Sequence, residues 1–212
     1  MLILAGLGNP EPKYAKNRHN IGFAAIQAIG RRWGFGPERS RFSGLAAEGQ
    51  IPTPAGAVKA LTLRPQTYYN DSGRAVAEAM RFYKLTPADV VVFYDEIDLA
   101  RGRFRMKTGG GAAGNNGVRS IAAHIGQDFR RARIGTGHPG HKDLVMAFVL
   151  SDVSKAELDW VKPLLEACAD ALPLLAAGED ERYQAEVLRL APAPKLDPRA
   201  GPRRQGGGED DD

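Results

Sequence analysis

The chain has 212 residues, 43% of them hydrophobic, enough to bury one sizeable core, and its 29 basic and 25 acidic side chains leave a modest formal charge of +4. No window approaches the ~18 to 20 apolar residues of a membrane span, and the opening run LILAGLG is too short and lacks the basic lead of a secretory segment, so the expected location is the cytoplasm. The single cysteine, Cys168, falls at helical spacing in LLEACADAL, which excludes a disulfide framework or a cysteine metal site and predicts a packed core thiol.

Leu2 to Leu7 reads as a buried strand that ends in the turn Gly8-Asn9-Pro10. Ile21, Ala25, Ala28, Ile29 and Trp33 then recur at helical spacing, with Asn20 as the expected N-cap and Gly34 as the stop. Phe42 to Ile51 and Ala57 to Leu63 read as strands joined by the turn-rich PTPAG, and Asn70-Asp71-Ser72 offers caps for a helix carrying Val76, Met80 and Tyr83. VVVFY, Val90 to Tyr94, is the clearest buried strand and stops at Asp95. FRM, RARIG and MAFVL are further short strands, Val118 to Ile125 a short helix, and Val153 to Ala177 a long helix that Pro173 kinks or ends. The alternation predicts an α/β layered domain around a mixed sheet, with acidic helices near the end packed on one side. From Ala191 onward, APAPKLDPRAGPRRQGGGEDDD is too rich in proline, glycine and charge to offset its ordering entropy, so a folded body over 1–190 and a disordered tail over 191–212 are expected.

Charge is segregated. Arg101 to Lys142 holds nine Lys or Arg against one acid, Asp128, whereas Ser151 to Leu190 holds nine acids against four bases. A solvated surface would interleave the signs, so one basic face directed at a polyanion is expected.

In open α/β sheets, sites lie beyond the carboxyl ends of the strands. Asn9, Asn70 and Asp95 each follow a predicted strand or its loop, Asn115-Asn116 closes GGGAAGNNG ahead of a helix, and His19 stands in NRHNIG. Neutral amides suit a substrate with carbonyls and N–H groups, while a histidine beside a carboxylate can take a proton from water. From residue types alone a lone histidine beside a helix start such as His19 is more often structural. GGGAAG has bare dinucleotide-loop spacing, but the FRM strand ahead of it is short and charged and no acid follows about 20 residues on. His138-Pro139-Gly140-His141 with Asp143 could hold a metal, or be a Gly-Pro loop with incidental histidines. No serine sits in a G-x-S-x-G elbow, so hydrolysis would use water directly.

The blocks GLGNPEPKYAKNRHNIGF, LRPQTYYNDSGRAV, and YDEIDLARGRFRMKTGGGAAGNNGVRSI followed by RARIGTGHPG resemble, in order and spacing, those of bacterial peptidyl-tRNA hydrolase, over Leu2 to about Leu150. The resemblance implies a single-domain three-layer α/β/α fold with a mixed, mostly parallel twisted sheet. It also implies a monomeric enzyme of translation that uses no metal or organic cofactor to cleave the ester joining a peptide to the 3′-terminal ribose of tRNA. By the same resemblance His19 is the general base and Asp95 its orienting carboxylate, Asn9, Tyr14, Tyr69, Asn70 and Asn116 contact the peptide and its ester, and Lys107 and Arg133 grip tRNA phosphate. Four features depart from the family pattern: Glu11-Pro12 in place of a glycine-led turn, Tyr69 where methionine is common, Asn115 where histidine is common, and Ala112-Ala113 within the glycine loop. The rival reading is a non-catalytic RNA-binding or splicing-partner relative, which would need an apolar docking patch and could lose the catalytic set; a nicotinamide oxidoreductase is a more distant one.

Overall fold

The structure, a computed structural model, describes residues 1–195, so most of the expected tail lies outside the described residues. Its first residues belong to the body: Ala191 is buried and Pro194 lies close against Gly102. In chain order the elements are β1 (Leu2–Gly6), α1 (Ile21–Arg32), β2 (Arg39–Arg41), β3 (Gly44–Thr53), β4 (Gly56–Pro65), α2 (Ser72–Phe82) and β5 (Val90–Glu96). They continue with β6 (Phe104–Thr108), α3 (Asn116–Ile125), β7 (Arg130–Gly135), α4 (Val145–Val149), α5 (Leu158–Asp170), α6 (Leu172–Ala176) and α7 (Asp180–Leu190). One sheet runs β2-β3-β4-β1-β5-β7-β6, parallel through β4, β1, β5 and β7 and antiparallel at both edges.

Both faces of the central strands are covered, which is why LILAG and VVVFY are unbroken apolar runs rather than alternating ones. Leu2, Leu4, Val91 and Phe93 point into a core shared with α1, α5, α6 and α7, while Ile3, Ala5, Val90, Val92 and Tyr94 point into one shared with α2 and α3. The result is three layers, with the late acidic helices on one side as expected. Cys168 is a fully buried thiol in the first core, pushed up to about 12 by burial. Helix α1 ends as Gly34 requires: the glycine takes φ +61°, and Phe35 N–H returns to the Gly30 carbonyl at 3.0 Å.

Four expectations need correction. MAFVL is the helix α4 and its C-cap rather than a strand; a short apolar run does not separate the two, and here Val149 is buried while Met146 is exposed. The predicted helix over Val153 to Ala177 starts only at Leu158, because Ser154 and Glu157 close a turn first, and breaks at Ala171, with Pro173 tolerated in the first turn of α6. Strand β2 was not foreseen: it turns into β3 through Phe42 and Ser43, at φ 55° and 48°, a left-handed pair with no glycine or asparagine to announce it. Asn20 precedes α1 but makes no cap bond, since its side chain is used elsewhere.

Candidate functional site

The carboxyl ends of β1, β4, β5 and β7 share one edge of the sheet, and the loops leaving them build the site. The start of α1 is pressed onto that edge. A Cβ on Gly6 would lie 2.3 Å from the Gly22 carbonyl oxygen, and one on Gly22 2.3 Å from the Phe93 carbonyl oxygen, so only glycine permits the contact. Leu7 N–H donates to Phe93 O at 2.9 Å and Phe23 N–H to Leu7 O at 3.2 Å, locking β1, β5 and α1 together. The Asn20 side chain brackets the Asn9 loop, accepting from Asn9 N–H at 2.8 Å and donating to Asn9 O at 2.9 Å. His19, one residue before Asn20, is thereby placed over the end of β5.

There its Nδ1 lies 2.9 and 2.8 Å from the two carboxylate oxygens of Asp95. The Asp95 side chain is 2% exposed and that of His19 17%, so the carboxylate is sealed while the ring reaches the cavity. With Nδ1–H donated to Asp95, Nε2 is left as the proton acceptor. Tyr69 stacks on the imidazole, centroids 3.8 Å apart and planes 19° from parallel, and its hydroxyl lies 3.4 Å from Asp95 Oδ1. Asn115 Nδ2 donates to the Tyr69 hydroxyl at 3.0 Å, while Asn115 Oδ1 accepts from Val118 N–H at 3.0 Å and so caps α3. Burial, and then the charge of Asp95, push the Tyr69 phenol well above its ordinary value of 10.0.

A cavity of about 700 Å³ opens in front of this cluster. Asn9, His19, Tyr69, Asn70, Asp95 and Asn116 all line it, as do Tyr68, His138 and residues of α4. Asn116 Oδ1 accepts from Arg119 Nη1 at 2.9 Å, which leaves its N–H₂ as the end available to a ligand. Tyr14 does not line the cavity; it is half-buried beneath the Lys13 ammonium, 4.7 Å from its ring. The α4 wall is tied to the His19 turn by Arg18, which pairs with Glu157 at 3.0 and 2.5 Å and donates to Ser151 O at 3.2 Å and Asp152 O at 3.1 Å.

Beside the cavity runs a basic sheet edge. Arg105 is paired in register with Arg133 and Lys107 with Arg131, so alternation puts all four on one face. They are not equivalent. Lys107 is exposed, whereas Arg133 Nε donates to Glu96 Oε2 at 3.0 Å. Arg131 is 1% exposed and donates to the carbonyls of Gly110 and Gly111 at 2.6 and 2.7 Å, anchoring the glycine loop that presents Asn115 and Asn116; burial lowers its pKa. Arg130 turns the other way, to Asp180 and the Leu175 carbonyl. Two of the nine cations of the basic stretch are thus structural.

The roles of Arg18, Asn20, Glu96 and Arg131 were missed in the sequence. The signal for Arg18 and Asn20 was their place beside His19; nothing local marked Glu157, 139 residues away, as the partner of Arg18. His138 Nδ1 accepts from Gly140 N–H at 3.0 Å, and among the described residues no group of three or more His, Cys, Asp or Glu could hold a metal ion. No helix of the described residues is long and apolar enough to cross a membrane.

The family model described as peptidyl-tRNA hydrolase matches residues 3–193. Similar relatives include the peptidyl-tRNA hydrolase of Phenylobacterium zucineum, 74% identical over 94% of this chain and 95% of that one, and that of Caulobacter vibrioides, 68% identical over 94% and 97%. Among solved structures, peptidyl-tRNA hydrolase from Acinetobacter baumannii superimposes with a TM-score of 0.84 at 34% identity, covering 91% of this chain and 97% of that one.

Proposed function

The chain belongs to the peptidyl-tRNA hydrolase family and is an enzyme that cleaves the ester between a peptide and tRNA; from that premise we propose that His19 is the base that activates the attacking water. Asp95 holds the imidazole by Nδ1–H and stabilises the imidazolium formed when Nε2 takes a proton from water. The hydroxide equivalent adds to the ester carbonyl carbon, the C–O bond to the ribose breaks, and the 3′ oxygen leaves with the proton that the imidazolium returns, as tRNA free to be charged again. Asn116 N–H₂ is the donor best prepared for the oxyanion, and such a donor is worth ~3 kcal/mol. Asn9 and Asn70, also on the cavity wall, hold the peptide by its backbone groups, which is why side-chain identity need not matter. Lys107, with Arg133 beside it, takes a tRNA phosphate.

The observation that carries this reading is the 2.8 Å contact between His19 Nδ1 and a sealed carboxylate on the floor of a cavity lined by neutral amides. In this reading the enzyme works as a monomer in the cytoplasm, where translation releases peptidyl-tRNA. His19→Ala is expected to cut turnover of a defined peptidyl-tRNA by at least ~10² with tRNA affinity intact. Equal loss of binding and turnover would make His19 a structural residue.

A further inference from the structure

We propose that Tyr69, oriented by Asn115, is a positioning residue for the His19–Asp95 pair rather than a peptide-binding side chain. The proposal rests on His19 being the base. Its ground is a hydrogen-bond relay in which every proton has one place to go. A backbone N–H can only donate, so Val118 N–H fixes Asn115 Oδ1 as the acceptor and turns Asn115 Nδ2 outward. That N–H₂ can only donate, so at 3.0 Å it occupies a lone pair of the Tyr69 hydroxyl, whose own proton then points at the remaining acceptor, Asp95 Oδ1. The carboxylate in turn accepts from His19 Nδ1, and the direction set at the start of α3 ends at a lone pair on Nε2.

Burial separates this role from substrate contact. Tyr69 is 8% exposed and its ring covers one face of the imidazole, whereas its neighbour Tyr68 is 79% exposed and free to meet a ligand. Among the described residues the Asp95 carboxylate has two side-chain partners, His19 and Tyr69, so the phenol is its one support apart from the base itself. The phenol stays protonated, since burial beside Asp95 pushes its ionisation well above the ordinary range. The stacked ring also offers its electron-rich face to the imidazolium. Two of the four departures from the family pattern, Tyr69 and Asn115, are in contact, and so form one device rather than two separate changes.

The two parts of Tyr69 act on His19 with opposite sign, which makes the test specific. Donation from the hydroxyl draws charge from Asp95 and weakens its hold on the imidazolium; the ring face strengthens it. Tyr69→Phe should therefore move the acid limb of the kcat/KM profile on peptidyl-tRNA to higher pH and lower kcat ~3- to 5-fold with KM unchanged, the size expected for one long bond to a charge. Tyr69→Leu, which also loses the ring, should bring the limb back to lower pH than in Tyr69→Phe. Asn115→Asp keeps the α3 cap but turns the phenol proton away from Asp95, so it should shift the limb in the same sense as Tyr69→Phe, and the double variant should add little to Asn115→Asp alone. A change confined to KM, acid limbs that stay put, or additive shifts would overturn the relay. His19→Ala in the same assay separates the two ideas. An active His19→Ala enzyme fails the base assignment, and an inactive one beside unmoved Tyr69 profiles fails the relay alone.

Discussion

At the floor of the cavity the polar groups are sealed and tied to one another: Asp95 is 2% exposed in its side chain, and the Asn20 amide is spent on both backbone groups of Asn9. At the basic rim Lys107 stands in solvent, and its strand neighbour Arg133 keeps 22% of its side chain exposed even while paired with Glu96. In the proposed reading the floor must hold a fixed geometry for proton transfer, whereas the rim needs only positive charge within reach of a phosphate. Damage to the floor should therefore appear as lost fold or lost kcat at any salt, and damage to the rim as weaker, less salt-dependent binding.

The largest effect is expected at the floor's foundation. Gly22→Ala drives a Cβ to 2.3 Å from the Phe93 carbonyl, and neither backbone can move without opening the β1, β5 and α1 junction. The loss should exceed about 3 kcal/mol, a fall in Tm of at least about 6 °C in a thermal melt. A near-normal Tm would show that the junction yields and that the floor is not rigid. Next comes the wall that joins floor to α4. Arg18→Ala leaves Glu157, 8% exposed in its side chain, buried without its cation, at a cost of about 3–5 kcal/mol by chemical denaturation. That wall is also pH-sensitive in a defined direction. Burial alone would raise the Glu157 carboxyl, but hydrogen bonds from Ser154 and Arg18 outweigh it and hold it below 4.5. A depressed carboxylate contributes fully above its unfolded value, so the stability is complete above about 4.5 and is lost as pH falls toward the folded value. Glu157→Gln should flatten that part of the stability profile; an unchanged acid slope would place the acid sensitivity elsewhere. The smallest effects belong to the rim. Lys107→Ala should reduce the slope of log affinity for tRNA against log salt by about 0.7–0.9, and Arg133→Ala by less, because Glu96 already neutralises it. Equal slopes for the two would remove the distinction between them.

The floor and the rim were also unequally legible in the sequence. Strand VVVFY, which runs on through Asp95 to Glu96, and the Gly34 stop are local signals that lie where the pattern placed them, because a valine-rich apolar run reads as a buried strand and a left-handed glycine ends a helix. The basic stretch was visible as charge, but its division was not. Which arginine is exposed depends on pairings with Glu96, Asp180 and the glycine-loop carbonyls, and these are set by the tertiary fold. Tyr69 is intermediate: its departure from the family pattern was evident, yet its seat on His19 and its link to Asn115, 46 residues on, emerge only when β4, β5 and α3 meet. The misread MAFVL run has the same cause, since its half-buried face follows from lining a cavity rather than from its own period.

The most direct test of a floor that does chemistry and a rim that holds RNA is Asp95→Asn, which keeps the side chain's shape and removes its charge. Single-turnover cleavage of peptidyl-tRNA should fall at least ~10², with tRNA affinity and its salt slope within about twofold of the parent. Cleavage at the parental rate, or a loss of affinity as large as the loss of rate, would contradict it.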